Sequence, residues 1–237
     1  MPFHAGALVG PEATAVPAAR LADACWIRGR IELAGALYGD ASARALATVS
    51  WYSASSVLVA PALESLVLTG TPLDPSLEAV TLYVRADGRF TGARSARVLP
   101  GGRDDLTGLG AAFGEALGAV VERFAAVSGA RTTALWAIAA DSIANRLLWA
   151  GQATGEVPGA TGLAAPLAEA IGPAMPRPRY LDLDGQCVTR RVSCCLIDRA
   201  TGGDKCSSCP NQHPRIREKR IREALGLVRG TDRPRIS

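Results

Sequence analysis

Apolar and polar residues alternate along this chain with two different periods, and the periods predict its elements. From Ala18 to Tyr38, Leu21, Cys25, Ile27, Leu33 and Leu37 recur at helical spacing, with Gly29 and Gly35 interrupting. Ala41 to Thr69 reads as one or two helices; Val57, Leu58, Leu63, Leu66 and Val67 give an apolar side, and Pro61 kinks or restarts the helix. Thr69 to Ser76 is a turn region. Ala79 to Val84 is strand-like, Ala86-Asp87-Gly88 is a turn, and Arg89 to Leu99 returns as a second strand. Leu106 to Val127 is helical, with Asp104 or Asp105 as the expected N-cap. Thr132 to Gln152 has the clearest helical period, carried by Leu135, Ile138, Ile143, Leu147 and Leu148.

The pattern changes toward the end. Residues 153–178 are rich in Gly, Ala and Pro and read as a linker with one short helix from Leu163 to Ile171. Tyr180–Asp184 and Gln186–Val192 flank Asp184-Gly185, a hairpin signal. Pro214 to Val228 is a basic helix with Ile216, Ile221, Leu225 and Val228 as its apolar positions. Residues 1–16 read as an extended or loose arm. The predicted class is α+β. A mainly helical body over 1–178 carries a β-hairpin near 79–99, and a cysteine-bearing module follows over 179–237.

Composition adds little to this and charge adds a location. Of 237 residues, 48% are hydrophobic and 20% charged, an ordinary globular balance. Neither a signal peptide nor an apolar run of transmembrane length is evident, so the expected compartment is the cytoplasm, where thiols stay reduced. From Tyr180 onward there are 12 Lys and Arg against 7 Asp and Glu; the rest of the chain carries 14 against 15. The basic character therefore sits with the cysteines. No zinc-finger histidines, helix-turn-helix pattern or aromatic–basic alternation accompanies it, so nucleic acid is not the expected partner.

Several candidate features resolve to ordinary ones. Gly108-Leu109-Gly110 suggests a dinucleotide fingerprint, but the next glycine is Gly114, one place late, inside a helical pattern. Electrons must then come from another protein. Asp141 and Asn145 share a helix face and, with Arg146, could orient a polar ligand; a solvated face or helix pairing is the preferred reading. Trp51 and Tyr52 could line a ligand cleft, with core packing the preferred reading, and Trp136, Trp149 and the isolated Cys25 are expected in the core. Cys187 lies outside the cysteine pattern and is read as structural.

That pattern is Cys194-Cys195, ten residues, Cys206, two residues, Cys209, then Pro210. Ten residues suffice to fold back and bring both pairs to one centre, with Gly202 and Gly203 turning the backbone and carrying amides toward sulfur. Three readings of the spacing stay open. Structural zinc suits four thiolates but not two adjacent ones. Disulfides need an oxidising compartment. A [2Fe–2S] cluster takes two thiolates on each iron. A Rieske centre needs two nearby histidines, and the chain has only His4 and His213.

The run Arg-Arg-x-Ser-Cys-Cys-Leu, Gly-Gly and Cys-x-x-Cys-Pro resembles the C-terminal segment of the FhuF-like ferric siderophore reductases. Where that family has aromatic residues after the cysteine pair, this chain has Ile197 and Asp198. The resemblance implies a [2Fe–2S] cluster on Cys194, Cys195, Cys206 and Cys209, passing single electrons to siderophore-bound Fe(III), with the helical body as docking region. It also implies a ferric siderophore, of hydroxamate type, and a protein electron donor such as a ferredoxin or flavoprotein reductase as partners. No transmembrane segment is expected, and peripheral membrane association is compatible. Such a cluster carries charge −2 oxidised and −3 reduced, so Arg190, Arg191, Arg199 and Lys205 would favour the reduced form or dock an anionic partner; that they are simply solvated is an equal reading. The alternatives are an iron–sulfur electron-transfer or sensor protein, and a zinc-stapled binding module.

Overall fold

The computed structural model describes residues 12–227. Its class is α+β. The order is β1 (Thr14–Pro17), a 3-10 turn (Ala18–Ala22), α1 (Ala24–Tyr38), α2 (Ala43–Leu58), α3 (Ala60–Thr69), β2 (Val80–Val84), β3 (Phe90–Ser95), α4 (Thr107–Ser128) and α5 (Thr132–Thr154). Then come α6 (Val157–Gly162), α7 (Ala164–Ile171), β4 (Tyr180–Leu183), β5 (Gln186–Thr189), α8 (Ile197–Thr201) and α9 (Pro214–Ala224).

Helix α5 is the axis of the body. It packs against α2, α3, α4, α6 and α7, and buries residues on every side of its cylinder. Its small residues let neighbours close in. A Cβ on Gly151 would lie 2.8 Å from the Ala160 Cβ of α6. Trp51 of α2 is fully buried, donates its indole N–H to the Leu135 carbonyl at 2.9 Å, and packs its ring on Phe124 of α4. Gly110 has a packing role: a Cβ there would meet Ala170 of α7 at 2.4 Å, so the glycine is what admits α7.

Pro61 does restart the helix, standing at the first turn of α3. Arg146 of α5, 2% exposed, closes that junction. Its Nε donates to the Ser56 carbonyl at 2.8 Å and its Nη1 pairs with Glu64 at 3.0 Å. Of the two readings preferred for the face of Asp141 and Arg146, the solvated face is absent, and Arg146 pairs α5 with α3 instead. Together α2 and α3 span Ala43–Thr69, apolar and long enough by composition to cross a membrane, contrary to the sequence reading; 83% of the apolar window is buried inside the fold.

Three further expectations change. Residues 14–17 are strand β1 of an antiparallel β1-β2-β3 sheet, not a loose arm; residues 1–11 lie outside the described part. Residues 153–178 are not a linker: α6 and α7 put Ala160, Leu163, Ala164, Leu167 and Ala168 into the main core. The N-cap of α4 is Leu106, without a side-chain bond, while Asp105 accepts from the Thr107 amide instead.

The chain then leaves the body. Asp184 (φ 55°) and Gly185 (φ 81°) turn the β4–β5 hairpin, as their sequence predicts. Tyr180 anchors the hairpin to α5 by donating to the Ala144 carbonyl at 3.0 Å. Helix α8 packs Ala200 against Ala34, Leu46 and Val49 in a second, small apolar cluster. Arg222 of α9 pairs with Asp184 at the hairpin turn, and Arg220 donates to the Lys205 carbonyl at 3.0 Å. Ile221 is buried, whereas Ile216 faces outward; Val228 lies outside the described residues.

Candidate metal centre

One buried carboxylate fixes where the cysteine segment starts. Asp141, 2% exposed in the middle of α5, accepts the Val192 amide at 2.9 Å, the Ser193 amide at 3.0 Å and the Ser193 hydroxyl at 2.5 Å. Arg191 Nε stands 3.5 Å from the same carboxylate. Burial raises the Asp141 pKa, and the bonds from Ser193 and Val192 with the Arg191 charge work against that rise. A buried carboxylate is retained where hydrogen bonds and an opposite charge offset its lost hydration, and both oxygens of Asp141 accept at least one bond.

Arg191 links this clamp to sulfur. It is 7% exposed, its Nη1 donates to Cys206 Sγ at 3.5 Å, and its guanidinium carbon lies 4.8 Å from the centre of the Tyr52 ring. Burial alone would lower its pKa, but Tyr52, Cys195, Asp141 and Cys206 lift it above the ordinary value, so the group stays a cation. Its Nε and Nη2 are enclosed and lack conventional hydrogen bonds; the Tyr52 face and the neighbouring anions stand in for them.

The adjacent cysteines are aimed by a local backbone feature. Leu196 adopts φ 60°, rare for a branched side chain. The turn brings the Leu196 amide to Cys194 and the Ile197 amide to Cys195. The glycines were expected to do this. Gly202, at φ 66°, instead terminates α8. The second pair sits on a turn in which the Cys209 amide bonds the Cys206 carbonyl at 3.1 Å, braced by the Gln212 side chain at 2.7 Å.

The four sulfurs meet as two pairs. Cys194 Sγ lies 3.6 Å from Cys209 Sγ, and the Cys195 and Cys206 thiols are near enough to shift each other's pKa in opposite directions. Cys195 and Cys209 are buried, Cys194 and Cys206 half-buried. Two thiolates on one tetrahedral metal with bonds of about 2.3 Å stand about 3.8 Å apart, so the Cys194–Cys209 separation suits one shared ion. Among the described residues no three Cys, His, Asp or Glu side chains gather around a single point.

The pairs differ in charge. The hydrogen bond from Cys206, helped by Arg191 and the Ile197 amide, holds the Cys195 thiol down at about 5 against the cost of burial. The same bond and burial push Cys206 up. Burial pushes Cys194 up to about 11, with no cation acting on it. Cys195 is therefore a ready thiolate beside a fixed guanidinium, whereas burial disfavours the charged form of Cys194.

Residues 191–210 match the FhuF 2Fe-2S C-terminal domain. No curated protein and no solved structure matches the chain. The FhuF-type stretch begins at Arg191 and ends at Pro210, so it holds all four paired cysteines. The cofactor of this stretch is a [2Fe–2S] cluster, and the donor set just described fits it.

The other predicted residues are scattered. Arg190 and Arg199 are exposed, and Lys205 is exposed with its ammonium donating to the Asn211 carbonyl at 3.0 Å. Arg191 is beneath the surface, in contact with Cys206. Cys25 is exposed rather than a buried hydrophobe, since its helix turns that position outward. His213 is exposed at the start of α9, as expected. Cys187 is half-buried in β5.

Sequence reasoning passed over Asp141, Ser193 and Tyr52 as parts of this site. The available signal was weak: an acid in the middle of an otherwise apolar helical stretch, Ala-Ala-Asp-Ser-Ile-Ala. Tyr52 and Trp149, half-buried rather than core, wall two clefts that meet at Arg191, Ser207 and Ser208. One, of about 610 Å³, is lined by Cys195 and Cys206. The other, of about 660 Å³, runs past Cys187 toward Leu225.

Proposed function

We propose that this protein is a cytoplasmic ferric siderophore reductase whose cluster is held by Cys194, Cys195, Cys206 and Cys209. The observation that supports it is a cysteine pair, Cys195 and Cys206, opening on a ligand-sized cleft beside a buried cation. When bound, the cluster supplies reversible one-electron chemistry. Fe(III) prefers hard oxygen donors far more than Fe(II) does, so one electron loosens the chelate and frees the metal. A protein donor restores the electron.

The chain's own residues do the rest. Arg191 offsets the negative charge gained on reduction. Leu196 and Ile197 point amide dipoles at the sulfurs. Asp141 fixes the segment in register with α5. No acid–base group is required, because the reaction moves an electron.

The test is anaerobic purification, followed by iron and acid-labile sulfide analysis, chemical reduction, and addition of a ferric trihydroxamate with a chromogenic Fe(II) chelator. Two irons and two sulfides per chain with stoichiometric Fe(II) release support the reading. The same cluster without Fe(II) release would make the protein an electron carrier or sensor. A colourless protein with one zinc would make it a stapled binding module.

A further inference from the structure

The two cysteine pairs do not face the same surroundings. Cys195 and Cys206 line the 610 Å³ cleft; Cys194 and Cys209 do not. Arg191 contacts the first pair and not the second. Charge added to a core held by both pairs is stabilised most on the side of the guanidinium, since the interaction falls with distance. A cluster held by both pairs would therefore take up charge more readily on the side that opens to the cleft.

The cleft has the chemistry of a small-molecule seat. Its volume is within the usual range for such ligands. Tyr38, Tyr52 and Trp149 offer aromatic faces, while Ser53, Ser207 and Ser208 offer hydroxyls beside them. Among the described residues no Asp or Glu lines it and Arg191 is its one cation, while the anionic cysteine side favours a neutral complex over an anionic one. It runs into the second cleft through Tyr52, Trp149, Arg191, Ser207 and Ser208, which leaves room for a ligand larger than either alone.

We infer that this cleft is the docking site of the ferric chelate, an oxygen-donor complex seated between α2, Trp149 and the turn that carries Cys206, Ser207 and Ser208. The inference rests on the reductase reading. One electron leaves the reduced protein on the Cys195–Cys206 side, Fe(III) in the chelate becomes Fe(II), and the protein donor replaces that electron. The exposed Arg190 and Arg199 are outside the cleft and are not needed to hold the chelate.

The test uses the oxidised holoprotein and the gallium(III) complex of a linear trihydroxamate, which has the shape and charge of the ferric complex but does not accept an electron. Titration should shift the indole N–H resonance of Trp149 and leave that of Trp26, on α1 outside the cleft, unmoved. Ser53→Trp fills the cleft without touching the clamp. It should weaken gallium-complex binding by at least about tenfold and slow Fe(II) release by a similar factor at low chelate. Its reduction potential and visible spectrum should match the parent. Should Ser53→Trp fold poorly, the resonance shifts in the unaltered protein still decide. A shift at Trp26 alone, or a Ser53→Trp protein that binds and reduces as the parent does, places docking elsewhere and leaves the reductase reading standing. Gallium-complex binding at Trp149 with no Fe(II) release from the ferric complex supports the docking site while sinking the reductase reading.

Discussion

The helical body and the cysteine segment are held by different forces. The body buries Leu, Ile, Val, Phe and Trp side chains from α2, α4 and α5 in one continuous core, and its few buried polar groups, such as Arg146, close gaps between helices. The segment from Arg190 to Pro210 buries few side chains: Arg191, Ser193, Cys195, Ala200 and Cys209. Its position depends on one carboxylate, one guanidinium and short turns. The difference leads us to expect a body that stands without metal and a polar segment whose order depends on the cluster.

This contrast can be broken from either side. Removing a thiolate has the largest expected effect. Cys206→Ser should abolish the reduced-state EPR signal and the visible absorption, yet leave the far-ultraviolet circular dichroism of the body unchanged. Collapse of the helical signal as well would show that the scaffold depends on metal.

The converse is Phe124→Ala, which cuts a fully buried ring out of the core beside Trp51. It should cost about 3–5 kcal/mol and lower the melting temperature by roughly 10 °C. The cluster spectrum of the folded protein should not change. A changed spectrum would mean that the core transmits strain to the cysteines.

Asp141→Ala cuts the connection between the two regions. It leaves two amides and the Ser193 hydroxyl without their acceptor and the buried Arg191 guanidinium without its counter-charge, at a cost of about 3–5 kcal/mol. The loss should fall on the segment, so iron should pass to an external chelator faster. Asp141→Asn keeps the shape without the charge and should be milder, about 1–3 kcal/mol. Equal iron loss from both variants would show that the charge on Asp141 is what matters.

The finest adjustment is electrostatic. Arg191→Gln should make the cluster harder to reduce by on the order of 50–100 mV, taking a unit charge about 8 Å away in an effective dielectric of about 20. Arg199→Gln, at an exposed position, should shift the potential by less than about 20 mV because water and salt screen it. Potentiometric titration followed by EPR separates the two. Equal shifts would mean that general positive charge, not the buried guanidinium, sets the potential.

By itself the sequence determined most of the elements and the place of the metal centre. Helical period marked α4 and α5, Pro61 marked the α2–α3 break, Asp184-Gly185 marked the hairpin, and the spacing of Cys194, Cys195, Cys206 and Cys209 marked the metal centre, because each depends on residues close together in the chain. Tertiary structure alone decided the rest. Asp141 is about 50 residues from the amides it holds, and Tyr52 lies farther still from the Arg191 it covers. Local pattern carries no trace of such pairings, so Asp141 read as a solvated acid and Tyr52 as core filler. Arg190 and Arg191 are neighbours in sequence with the same charge. Only the fold turns one to water and the other to sulfur, because successive residues of an extended chain point to opposite sides.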